Sequence, residues 1–273
     1  MMHLPTYNKS FTDKSEMFEW LKVNKTEIIN LKKSAVKFSD PMACLYKVEK
    51  TVVKSLTPKE AIKFGDYVYP VINTTNYLDS HDDVHIDGIW NKSVKEQQGN
   101  VYFVVDHKLE VDKIISRQNE VEMMVEPMTW KDLGFDLEGS TQALIFKALL
   151  TDRSLKAAFD SLKENDPVQY SIRMQYVTLF MAINSTDSGY KEEYAAWNKY
   201  YPIISNKQKL DDQGFFFAVT DAKIYKEGSM VLAGSNDATR TLYNLEPAKH
   251  SETSRVTTPK KININKLINE LKK

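Results

Sequence analysis

The spacing of apolar residues changes period several times along the chain, and each change marks an element. From Thr12 to Val36, Met17, Trp20, Leu21, Ile28 and Leu31 recur at roughly helical intervals. This predicts one or two helices, capped by Thr12 or Asp13, in a segment separable from the body. In Thr57-Pro58-Lys59-Glu60 the proline suits a first helical position, so a helix start is read there too. Leu155, Ala158, Phe159 and Leu162 fall at i, i+3, i+4 and i+7, one apolar helical face that Asn165-Asp166-Pro167 ends. Asp187 to Tyr201 mixes polar and aromatic residues and reads as a surface helix.

Elsewhere the period falls to two or the apolar runs become continuous. Gln97-Gln98-Gly99-Asn100 is a turn opening onto Val101-Tyr102-Phe103-Val104-Val105-Asp106-His107, a buried strand that ends at a histidine. From Val168 the chain alternates, with Val168, Tyr170, Ile172, Met174 and Tyr176 on one side and Gln169, Ser171, Arg173 and Gln175 on the other. Ser171 therefore lies on the polar face of a strand. Phe215 to Val219 starts a further strand that runs toward Lys226-Glu227-Gly228-Ser229. Thr141 to Leu150 fits a helix or a strand buried on both faces, and periodicity leaves both open. The expected class is α+β with a mainly β core. An N-terminal helical extension spans 1–68, a central domain 69–246, and a tail 247–273 with a short amphipathic end from Ile262 to Leu271.

Composition narrows the function classes. The 273 residues, 42% hydrophobic and 27% charged, are enough for a sizeable core and unlike a disordered or fibrous chain. Formal charge sums to zero, yet Val71 to Glu138 holds 14 acids against 6 bases, and Ala248 to Lys273 holds 7 bases against 2 acids. The body is thus acidic and the tail basic, which reads first as a solvated flexible segment and not as a nucleic-acid reader. The single cysteine, Cys44, has neither a disulfide partner nor a zinc-site spacing around it, so a reducing compartment is expected. The first residues lack a signal-peptide pattern, and no stretch approaches 18 consecutive apolar residues, so neither export nor a membrane span is expected. With 9 glycines and no phosphate-binding glycine loop, a nucleotide enzyme is disfavoured, and no cofactor is expected.

Two constellations are candidates for chemistry. A serine hydroxyl is a poor nucleophile near neutral pH and needs a histidine within hydrogen-bonding reach, oriented by a third group. His107 ends one strand, Ser171 lies early in a second and Glu227 follows a third, which permits convergence across a sheet. By pattern alone a polar-face strand serine is more often structural. The rival is His81-Asp82-Asp83-Val84-His85, five residues rich in metal-ligand types. Because Asp79-Ser80-His81-Asp82-Asp83 reads as a turn entering a strand, the default there is a solvated turn and no metal.

The order of several segments resembles that of tailed-phage (caudovirus) prohead proteases, in the version found in phages of Bacteroidetes and crAss-like phages. The matching stretches are Asp79 to Ser93, Val101-Tyr102-Phe103 through Asp106-His107, Gly139 to Phe146, Gln169-Tyr170-Ser171-Ile172-Arg173-Met174-Gln175-Tyr176-Val177, Ala218 to Ile224 and Glu227-Gly228-Ser229. They cover roughly Tyr69 to Thr241 and leave both ends outside the likeness.

The resemblance implies that His107 is the general base, Ser171 the nucleophile and Glu227 the orienting acid, with Asp221 as competitor for that third place. Arg173 departs from the family pattern, which has glycine after the serine and its aliphatic neighbour, and this puts the local oxyanion geometry in question. The resemblance also implies an antiparallel, partly closed barrel ringed by helices, as in the related herpesvirus assemblins, which would make Thr141 to Leu150 a strand. The implied function is a serine endopeptidase cutting the scaffold protein and the extension of the major capsid protein, and itself near one end. It would act in the host cytoplasm inside the immature capsid, with a homodimer compatible and without a membrane. The alternative is a non-catalytic capsid assembly or scaffolding protein of the same fold.

Overall fold

A computed structural model describes residues 1–37, 62–232 and 241–242. Cys44, the Thr57-Pro58 helix start, the boundary at Pro247 and the basic tail lie outside the described residues. The chain runs β1 (Met2–Leu4), β2 (Lys9–Phe11), α1 (Lys14–Val23), α2 (Lys25–Ser34), β3 (Val36–Lys37), β4 (Tyr67–Thr74), β5 (Asp83–His85), α3 (Asn91–Gln97) and β6 (Tyr102–Val105). It continues with β7 (Ile114–Ser116), β8 (Val121–Thr129), β9 (Ser140–Leu149), α4 (Lys156–Glu164), β10 (Gln169–Ile183), α5 (Lys191–Tyr200), α6 (Gln208–Gln213), β11 (Phe215–Val231) and β12 (Thr241–Leu242). The fold is α+β and strand-dominated.

Local chemistry accounts for the helices. The Asp13 carboxylate accepts the Glu16 backbone N–H at 3.0 Å, while the Glu16 side chain accepts the Thr12 N–H at 2.7 Å, so α1 starts where two orphan donors are satisfied. Asn24 then separates α1 from α2. Helix α4 buries Ala158, Phe159 and Leu162 and stops at Asn165, whose φ of 57° is the left-handed conformation that closes helix C-termini. The ambiguous segment from Thr141 to Leu150 is strand β9, where Thr141 and Ala143 to Ala148 are all buried.

Two sheets carry the core. One is six-stranded, in the order β3-β10-β11-β6-β7, with β5 also pairing β11, and the other is four-stranded in the order β12-β4-β9-β8. The four-stranded sheet is antiparallel, but the larger one is mixed because β5 and β6 both run parallel to β11. A wholly antiparallel core is therefore not what forms. The crossover from β6 back to β11 spans most of the domain, long enough to reverse direction twice.

The sheets meet through Phe103, Phe146 and Tyr170, with ring centroids 6.4 Å apart for Phe103 and Phe146 and 5.9 Å apart for Phe103 and Tyr170. Leu4, Phe11, Met17, Leu21 and Ile28 from the N-terminal elements belong to this same buried cluster. The Asp187 to Tyr201 segment contains a helix, but Trp197 and Tyr200 of α5 are buried in a second apolar cluster with Phe216 and Ala218. That segment is a cover for the strands more than a surface feature, because its aromatic rings supply the apolar area that its polar residues conceal in the sequence.

Candidate active site

Strand β11 is the backbone of the site. Near its C-terminal half, Ile172 pairs with Gly228 but Met174 pairs with Ile224, so Tyr225, Lys226 and Glu227 stand against the single residue Arg173. Lys226 takes up a φ of 65° in this bulge. A bulge bends the strand and re-aims the side chains that follow it. Beyond it, pairing is regular on both flanks, with Ser171 opposite Ser229 on β10 and Val104 opposite Ser229 on β6.

Strand alternation then divides the residues between two faces. Gly228 faces the second sheet, where a Cβ would stand 2.8 Å from a Phe146 ring carbon and 3.0 Å from Ile72 Cγ2. Glu227 and Ser229, together with Ser171 across the ladder, take the opposite face. Glycine suits the position because a Cβ there presses on side chains of the facing sheet that would have to shift.

At the end of β6 the chain turns sharply. Lys108 N donates to the Val105 carbonyl at 3.1 Å, and the two central residues, Asp106 and His107, have φ of 52° and 56°. This is the mirror-image turn that glycine and asparagine normally occupy. Left-handed backbone at a histidine costs on the order of 1 kcal/mol or more, and such strain persists where the surroundings over-determine it. Here Asp106 N donates to the Met230 carbonyl at 3.0 Å and His107 N donates to Ser229 Oγ at 2.8 Å, so β11 holds the turn.

The turn delivers His107 Nδ1 to 2.8 Å from Glu227 Oε1. A carboxylate only accepts, so Nδ1 carries the proton and Nε2 is the basic nitrogen. The second oxygen, Glu227 Oε2, accepts from the Ser229 hydroxyl at 3.1 Å. Glu227 is fully buried and the His107 side chain is 7% exposed. A buried carboxylate with both oxygens bonded fixes the imidazole plane and tautomer, which is the task of the orienting acid in a serine triad.

The structure thus brings His107, Glu227 and Ser229 into one bonded cluster and sets Ser171, itself buried, directly across from Ser229. On the polar face predicted for this strand, Ser171 is buried while Gln169, Arg173 and Gln175 are half-buried. Asp221 is not brought to the site. It pairs with Thr178, six residues before Glu227 along β11, which at ~3.3 Å per residue is beyond reach of His107. Arg173 sits in the bulge with its guanidinium carbon 4.8 Å from the Tyr225 ring centroid, a cation–π contact. Ser229 was given no role by the sequence, although its place two residues after Glu227 in a strand puts both on one face.

The rival constellation is not a solvated turn. Among the described residues, no group of three or more His, Cys, Asp or Glu side chains is placed to hold a metal ion. Asp83 and His85 are buried. Asp83 Oδ1 receives Lys32 Nζ of α2 at 2.5 Å, and Oδ2 receives the Tyr176 hydroxyl at 2.9 Å. His85 lies 3.2 Å from that hydroxyl through Nε2 and 2.9 Å from Asn73 Oδ1 through Nδ1, and Asn73 Oδ1 also accepts Trp90 Nε1 at 3.0 Å. Burial, with the Asp83 and Asp79 charges beside it, pushes the Tyr176 hydroxyl well above its ordinary pKa of 10.0. His81 is separate, near Asp79 at the surface end of the turn.

Among the described residues no helix is long and apolar enough to cross a membrane. Compared with protein-family models, with curated proteins and with solved structures, the chain matches none of them.

Proposed function

We propose that the protein is a serine endopeptidase of the prohead-protease kind, with Ser171 as nucleophile, His107 as general base and Glu227 as orienting acid. The observation that carries this reading is the 2.8 Å bond between His107 Nδ1 and the buried Glu227, with Ser171 across the ladder from the serine that braces both. His107 Nε2 takes the Ser171 proton as Oγ attacks a peptide carbonyl, and the buried carboxylate stabilises the imidazolium that forms. The imidazolium then protonates the leaving amine, and water, deprotonated by the same nitrogen, releases the acyl group.

The resemblance supplies the substrates in this proposal, namely the scaffold and the extension of the major capsid protein inside the immature capsid, together with the chain itself. The assemblin-like, partly closed barrel belongs to it too. Two facing sheets flanked by helices are compatible with that architecture.

A non-catalytic assembly role has one observation in its favour: Arg173, bulky and in cation–π contact with Tyr225, stands where the family pattern has glycine. Mass spectrometry of the chain co-expressed with its capsid protein separates the two readings. Defined fragments with the wild type and none with Ser171→Ala are expected. Fragments identical in both, or absent from both, overturn the hydrolase reading.

A further inference from the structure

The cluster contains a fourth member whose position is tied to every other part of it. Ser229 is fully buried, its Oγ accepts from the His107 backbone N–H at 2.8 Å, and its proton goes to Glu227 Oε2 at 3.1 Å. A hydroxyl has one proton, and an acceptor-only carboxylate must receive it, so the direction of both bonds is fixed. One oxygen thus holds the two things that aim the imidazole: the left-handed turn that carries His107 and the carboxylate that grips its Nδ1. Ser229 is also the ladder partner of Ser171, so the nucleophile's strand is registered on the same residue.

We infer that Ser229 is a positioning residue for the His107–Glu227 pair, setting the orientation of the base relative to Ser171 while not itself touching substrate. The inference rests on the hydrolase reading. A buried serine that merely filled space would need neither bond, and without its hydroxyl Glu227 Oε2 would lose a donor and His107 N its acceptor. The carboxylate would then rotate to recover a partner, and the turn would relax from its strained backbone.

Two measurements on the full-length chain test this. The first is the rate at which a fluorophosphonate labels Ser171, which reads nucleophile activation without a known substrate. Ser229→Ala lowers it on the order of 10–100-fold, the range that outer partners of metal-bound histidines control, and Ser229→Cys, close in size and a weaker donor, falls between. The second is the His107 Nδ1 proton resonance in chains with 15N-labelled histidine on a Ser171→Ala background. It is expected as a low-field, slowly exchanging signal that Ser229→Ala moves or broadens away while the unfolding midpoint shows the chain folded. Should the alanine chain fail to fold, the cysteine variant carries both comparisons.

A labelling rate and a resonance both unchanged in the Ser229 variants, while Glu227→Gln alters them, overturn the inference and leave the hydrolase reading intact. A wild-type chain that fluorophosphonate does not label sinks the hydrolase reading, and the resonance then decides Ser229 alone.

Discussion

Strand β11 carries two buried polar clusters, one at each end, and they are built on opposite principles. At the N-terminal end, Phe217, Ala218 and Val219 pair with β5 and frame Lys32, Asp83, Tyr176, His85, Asn73 and Trp90. These side chains come from α2, β4, β5, β10 and the turn before α3, and each joins the next in a chain that ties α2 to the strands behind it. At the C-terminal end, Glu227 to Met230 pair with β6 and frame His107, Glu227, Ser229 and Ser171. There the backbone is a bulge and a left-handed turn, and the bonds aim side chains. Both ends contain a histidine beside an acid-rich stretch. What separates them is that one cluster spends its bonds on joining elements, and the other on holding strained backbone in a fixed orientation.

The comparison breaks most sharply under mutation. Ser171→Ala is expected to lower peptide cleavage by several orders of magnitude with little change in stability, read by mass spectrometry of fragments and by thermal unfolding. If it loses stability in place of activity, the two ends are alike.

Asp83→Ala is expected to do the reverse. It strands the Lys32 ammonium, 7% exposed and pointed at the ring of Phe217, and removing one partner of a buried pair costs about 3–5 kcal/mol. Urea denaturation measures it. The double variant Lys32→Met, Asp83→Leu is expected to recover much of the loss, since an apolar pair leaves no charge buried.

Gly228→Ala at the C-terminal end combines a packing effect with an effect on the site. Its methyl meets Phe146 and Ile72, and overpacking of this kind costs about 1–3 kcal/mol. Because Gly228 lies between Glu227 and Ser229, cleavage is expected to fall more than the stability loss explains, which activity per folded molecule would show.

The smallest effect is a pH dependence. The Tyr176 hydroxyl is held above its ordinary pKa, so its neutral form is favoured in the folded chain. Its contribution is therefore complete below pH 10, where both states keep the proton, and is lost as pH rises further and only the unfolded chain releases it. Unfolding midpoints by circular dichroism should fall above pH 10, and the fall should be shallower in Tyr176→Phe.

Part of this was legible in the residues. The capped helix after Asp13, the helix from Leu155 to Leu162, the strand before His107, which ends two residues earlier than its apolar run predicts, and the strand from Gln169 follow from periods and caps, which act between near neighbours in sequence. Glu227 was legible as a candidate beside Asp221, but nothing local ranked them, because the difference lies in a bulge created by pairing with β10. The His81 to His85 segment reads as acidic and solvated, yet Asp83 is buried because Lys32, 51 residues earlier, reaches it. Similarly, α5 looks like a surface helix until Phe216 and Ala218 claim its aromatic face.

The sequence by itself determined many of the helices and strands, though not the state of Thr141 to Leu150, and which side chains are chemically able to act, since hydrophobic period, capping and turn chemistry are short-range. The tertiary structure alone decided which candidates meet. Strand register, the bulge opposite Arg173 and the left-handed turn at His107 depend on contacts between segments far apart in the chain, and no local pattern encodes that a carboxylate, an imidazole and two serines will share one face of one sheet.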